Sequence, residues 1–173
     1  MSHRFFVPAA VSLLVVLAAS GCGSQPPADA LANVDWKDHV RSCAQEEGGS
    51  GLGTVIGSVI KGDVNGDGRV DTAVVNECGS STSRWPQVVE VFDGASEPQN
   101  PQRLGVLLEG DTDYMRDLSV TVESGGRIVV DGLGLSSDAA LCCPDVKLRK
   151  VFVWSEGTFV LAERRAEPRP TPS

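Results

Sequence analysis

From Thr54 onward the chain repeats one pattern. Short runs with apolar residues at every second position are separated by clusters of Gly, Asp, Asn, Ser and Pro. Side chains of a β-strand alternate between two faces, so this period predicts strands joined by tight turns. The expected strands are Val55–Lys61, Thr72–Glu77, Gln87–Phe92, Arg103–Leu108, Leu118–Glu123, Arg127–Asp131, Lys147–Trp154 and Thr158–Ala162. Leu104, Val106 and Leu108 alternate with Arg103, Gly105 and Leu107; Leu118, Val120 and Val122 alternate with Ser119, Thr121 and Glu123. Such alternation predicts antiparallel strands with one buried and one wet face. Gly125-Gly126 and Ser155-Glu156-Gly157 are expected hairpin turns.

Ahead of the strands, Leu31, Val34, His39 and Val40 fall at loose helical spacing, with Trp36 on the flank. Asp35 suits a helix start and Gly48-Gly49 a stop, so one helix is expected over Asp29–Glu46. The expected fold is mostly β (α+β): an antiparallel sheet of hairpins carrying one N-terminal helix, within a single domain of residues 29–163. Arg164 to Ser173 holds three prolines and no apolar period, which predicts a disordered tail.

The first 21 residues read as a signal peptide rather than as part of the fold. Arg4 precedes an almost wholly apolar run, Phe5 to Ala19. About fifteen residues suit a signal segment and are short for a membrane span. Leu17-Ala18-Ala19-Ser20-Gly21-Cys22 follows, and small residues directly before a cysteine resemble the lipobox of bacterial lipoproteins. That resemblance implies cleavage before Cys22, diacylation of Cys22 and anchoring by lipid on the extracytoplasmic face of the cell membrane. The other reading is a secretory signal cut near Ala19. Residues 22–28 form a short Pro-rich tether spanning on the order of 15 Å. Losing Arg4 moves the formal charge from −8 to −9. An acidic domain is repelled by anionic headgroups and lacks the basic stripe of a nucleic-acid binder.

The most specific chemical pattern is Asp63-Val64-Asn65-Gly66-Asp67-Gly68-Arg69-Val70-Asp71. A hard cation such as Ca²⁺ takes six to eight oxygens at about 2.3–2.6 Å. Asp63, Asn65, Asp67 and Asp71 offer side-chain oxygens in phase, and the Arg69 carbonyl offers a fifth. The expected cofactor is therefore a structural Ca²⁺; the alternative is a turn that merely reverses the chain. It is not an EF-hand, since Val74 stands where that loop needs Glu and the flanks are β-type. Val59 to Cys78 instead resembles the calcium hairpin of FG-GAP (integrin-like) repeats. In that family the repeat recurs to build a propeller. Here no second copy follows, because Asp111-Thr112-Asp113 lacks the glycine and the later Asp.

Four cysteines lie beyond Cys22: Cys43, Cys78, Cys142 and Cys143. In an exported chain they predict two disulfides. Of three pairings, one joins the adjacent Cys142 and Cys143 in a strained ring. The other two send Cys43 and Cys78 each to one member of that pair. The long-range pairings are the expectation, since closing such loops stabilises by about 4 kcal/mol each in the chain-entropy model. Zinc is not indicated, as the spacing is not C-x₂-C.

Few other residues suggest chemistry. There are 2 histidines, and His39, the one past the leader, reads as packing or surface. Lys147 and Arg149 share an expected solvated face. Trp36, Trp154 and Tyr114 read as packing, and Trp85 beside Pro86 as a surface contact. Ser80 to Ser83 lacks a nucleophile-elbow context, and neither Gly51-Leu52-Gly53 nor Gly132-Leu133-Gly134 has the setting of a phosphate loop. Cys22, the acidic turn, the Cys142-Cys143-Pro144-Asp145 run and the closing Phe152-Val153-Trp154 with Gly157-Thr158-Phe159 together resemble a family of small exported actinobacterial lipoproteins of unknown function. The expected function is a non-enzymatic, calcium-braced binding or structural module of the cell surface, with an envelope protein or ligand as partner. The alternatives are a small-ligand or lipid carrier, and a metal-dependent hydrolase or other enzyme using the cation or carboxylates such as Asp111 and Asp113.

Overall fold

A computed structural model describes residues 29–41, 53–79 and 85–169. It contains eight strands: β1 (Thr54–Gly62), β2 (Asp71–Cys78), β3 (Val88–Phe92), β4 (Arg103–Leu107), β5 (Arg116–Glu123), β6 (Arg127–Gly134), β7 (Val146–Ser155) and β8 (Thr158–Pro168). They form two four-stranded sheets, β1-β2-β3-β4 and β5-β6-β7-β8. Every pairing is antiparallel and joins neighbours in sequence. Glu156 and Gly157 both adopt positive φ, which gives the two-residue turn the right-handed twist that β7 and β8 require.

One core lies between the sheets. Ala73, Val75, Val89, Val91 and Leu107 from the first meet Val120, Ile128, Val130, Leu148 and Phe152 from the second. At the edges β1 lies against β5 and β4 against β8. The expected alternation holds in β5, where Leu118 and Val122 pack beside buried Val120. It fails in β4. The register shifts where Arg103 pairs Phe92 and Gly105 pairs Val91, so one extra residue changes the phase. Leu107 then faces the core in place of Val106.

The expected N-terminal helix is not formed over the described residues 29–41. Only Trp36–Asp38 makes a short 3-10 helix, started by Asp35, whose carboxylate accepts the Lys37 N–H at 3.2 Å. The rest of 29–46, including Cys43, lies outside the described residues. The cause is tertiary: Leu31, Trp36 and Val40 all plug the outer face of the first sheet, against Val74 and Phe92. A chain that spreads its apolar side chains along a sheet does not present them on one helical face.

Charged anchors hold this strap at both ends. Lys61 Nζ donates to Asp29 Oδ1 at 3.1 Å, the Leu31 carbonyl at 3.1 Å and Thr72 Oγ1 at 2.9 Å. At the other end the Arg41 N–H and Asn76 Nδ2 donate to Glu90 Oε1, each at 3.0 Å. Arg103 Nε lies 2.8 Å from Glu90 Oε2, and its Nη2 donates to the His39 carbonyl at 3.1 Å. β2 and β3 are thus covered on both faces, which is why Val88 to Phe92 is buried throughout.

β8 also departs from expectation. It runs to Pro168, pairing Glu163 with Val151 and Glu167 with Lys147, so 164–168 is strand and not tail. Residues 170–173 lie outside the described residues. The first half of β7 needs a ladder partner, and a polar segment supplies backbone groups as well as an apolar one.

Candidate functional site

The turn between β1 and β2 carries the expected cation ligands, and their side chains fold it. Asp63 accepts the Gly66 N–H at 2.7 Å and the Gly68 N–H at 3.0 Å. Asn65 Oδ1 accepts the Asp67 N–H at 3.0 Å, and Asp67 Oδ1 accepts the Arg69 N–H at 2.7 Å. Asp71, fully buried, accepts the Val64 N–H at 2.8 Å and the Gly94 N–H at 2.7 Å. Burial pushes the Asp71 carboxyl up, against the pull of the Gly94, Val64 and Asn65 amides, and Asp67 adds to the rise.

The donor chemistry fits a hard cation, with carboxylate, amide and carbonyl oxygens in one nine-residue stretch, Asp63 to Asp71. Each oxygen that accepts one N–H keeps further lone-pair capacity. The convergence is incomplete: among the described residues no three His, Cys, Asp or Glu side chains meet as a metal-holding group. Asp71 is turned toward Gly94 and the backbone of its own turn. Asp63, Asn65 and Asp67 lie on the half-buried to exposed part of the turn.

The turn sits where the sheets meet. Gly126, in the β5–β6 turn, approaches it so closely that a Cβ there would stand 2.6 Å from the Val64 carbonyl oxygen. Between the two turns lies an open groove of about 480 Å³, lined by Gly62, Asp63, Gly66, Val122, Glu123 and Gly125 among others.

Asp111 and Asp113, the carboxylates of the hydrolase alternative, are already paired. Lys150 is almost wholly buried and its Nζ contacts Asp111 Oδ2 and, at 2.6 Å, Asp113 Oδ2. Arg164 grips Asp113 with Nε at 2.9 Å and Nη2 at 2.7 Å. Arg164 first, then Lys150, hold the Asp113 carboxyl down to about 2. A general acid needs the opposite shift. Lys150 was legible as a lysine in phase with Leu148 and Phe152 on the core side, and Glu90 as one charge within a run of valines.

The cysteine expectation is corrected. Cys142 bonds Cys143, so neither reaches Cys43 or Cys78. Cys78 is buried in β2 whereas the pair is exposed on the loop before β7, and a bond between them would draw that loop into the sheet. Cys78 is itself disulfide-bonded. Cys22 and Cys43 lie outside the described residues, as do the signal peptide, the tether and Ser80 to Ser83. Arg149 pairs with Asp131 at 3.0 Å on its partly solvated face, and Trp85 is half-buried. Among the described residues no helix is long and apolar enough to cross a membrane.

No protein-family model, no curated protein and no solved structure matches the chain.

Proposed function

We propose that this chain is a lipid-anchored, extracytoplasmic module that works by binding or bracing within the cell envelope rather than by catalysis. Its acidic turn takes Ca²⁺ as a structural ion. The observation that carries the reading is the turn itself: Asp63, Asn65 and Asp67 bring three oxygen-bearing side chains to one short turn, at the point where the ends of both sheets approach. A cation there offsets the repulsion among Asp63, Asp67 and Asp71 and stiffens the contact between Val64 and Gly126. The pairing of Asp111 and Asp113 with Lys150 and Arg164 weighs against a hydrolase built on those two carboxylates.

Anchoring is the part of the proposal that a direct chemical measurement tests. Mass spectrometry of protein extracted from cell envelopes is expected to find Cys22 at the N-terminus and acylated. An unmodified N-terminus upstream of Cys22 contradicts it.

A further inference from the structure

A disulfide between adjacent residues cannot staple a fold in the ordinary way. In the chain-entropy account the stabilisation grows with the length of chain enclosed, and the Cys142–Cys143 bond encloses none. What it does instead is shape one exposed loop. Both cysteines are exposed, and Leu141 beside them is 72% exposed. The loop is pinned around the ring. The Cys143 N–H donates to the Ala140 carbonyl at 2.9 Å, and Arg116 Nη2 donates to the Cys142 carbonyl at 2.8 Å. At the loop's base Asp145 accepts the Ser136 N–H at 2.8 Å and the Ser136 hydroxyl at 2.6 Å. Cys78 makes the contrast: it too is disulfide-bonded, yet only 3% exposed within β2.

We infer that Cys142–Cys143 is a thiol–disulfide exchange site whose partner is a dithiol. A thiolate of the partner attacks one of the two sulfurs, the Cys142–Cys143 bond breaks, and a mixed disulfide forms. The partner's second thiol then attacks that mixed disulfide and closes the partner's own ring. Two electrons and two protons pass from the dithiol to the protein, leaving Cys142 and Cys143 as thiols. A monothiol completes the transfer only when a second molecule attacks the mixed disulfide before the freed neighbouring cysteine reattacks it from within the same loop.

The test is graded reduction of the oxidised mature protein, followed by alkylation and peptide mapping. With dithiothreitol as probe, Cys142 and Cys143 are expected to be alkylated while far-UV circular dichroism is unchanged. Cys78, only 3% exposed, should react at least ~10-fold more slowly. Glutathione at equal thiol concentration is expected to reduce the pair much less than dithiothreitol does. The Cys142→Ser/Cys143→Ser double variant should melt within about 2 °C of the parent. Reduction of the pair only together with Cys78, equal reduction by glutathione, or a large fall in melting temperature of the double variant overturns the inference.

Discussion

Lys150 occupies a position that the pattern of β7 assigns to the core, and the structure keeps it there by surrounding it with charge. Two carboxylates and a guanidinium complete the group. The Asp113 carboxyl, held down to about 2, links this cluster to pH. A folded-state value below the unfolded one adds stability that is fully present above about pH 4 and is lost as pH falls toward about 2. The size is on the order of 2 kcal/mol. Asp113→Asn is therefore expected to lower stability by that order at neutral pH, measured by denaturant unfolding. The gap to the parent should narrow as pH falls from about 4 toward 2. A gap that stays constant through that window would show that the charge on Asp113 is not what matters.

At the scale of elements, legibility followed burial. A strand whose one face meets the core, such as β5, announces itself by alternation. β8 beyond Ala162 does not, because Glu163 to Glu167 ladder to β7 through backbone groups while their side chains stay mostly in solvent. Ending the chain after Glu163 should accordingly leave Val146 to Lys150 paired with β6 alone, remove Arg164 from Asp113, and lower the melting temperature. An unchanged melting temperature would mean that this ladder is dispensable. The helix was misread for the converse reason: Leu31, Trp36 and Val40 form an apolar pattern whose partner, the outer face of β2 and β3, cannot be seen in local sequence. Trp36 packs on Phe92 with ring centroids 4.8 Å apart, under the Lys61 ammonium. Trp36→Ala is expected to cost about 3–5 kcal/mol in denaturant unfolding, as for other large buried side chains. A loss under about 1 kcal/mol would mean that the strap is not an integral layer.

Across the whole molecule, two four-stranded sheets share one core built mainly from valine, leucine and isoleucine, with the acidic turn at one end of it. The turn was the most legible chemical feature of the sequence. What the sequence did not show is that Asp71 points at Gly94 and the turn backbone, and that Gly126 brings the second sheet against Val64. The calcium proposal stands on that junction, and thermal unfolding of the mature chain with and without Ca²⁺ tests it most directly. At about a hundredfold excess over Kd, binding to the folded state alone adds about 2.7 kcal/mol and should raise the midpoint by about 5–10 °C. Asp67→Ala should abolish that calcium-dependent rise, whatever it does to the midpoint without the ion. A parent midpoint that calcium does not move, or an equal rise in Asp67→Ala, would contradict the account.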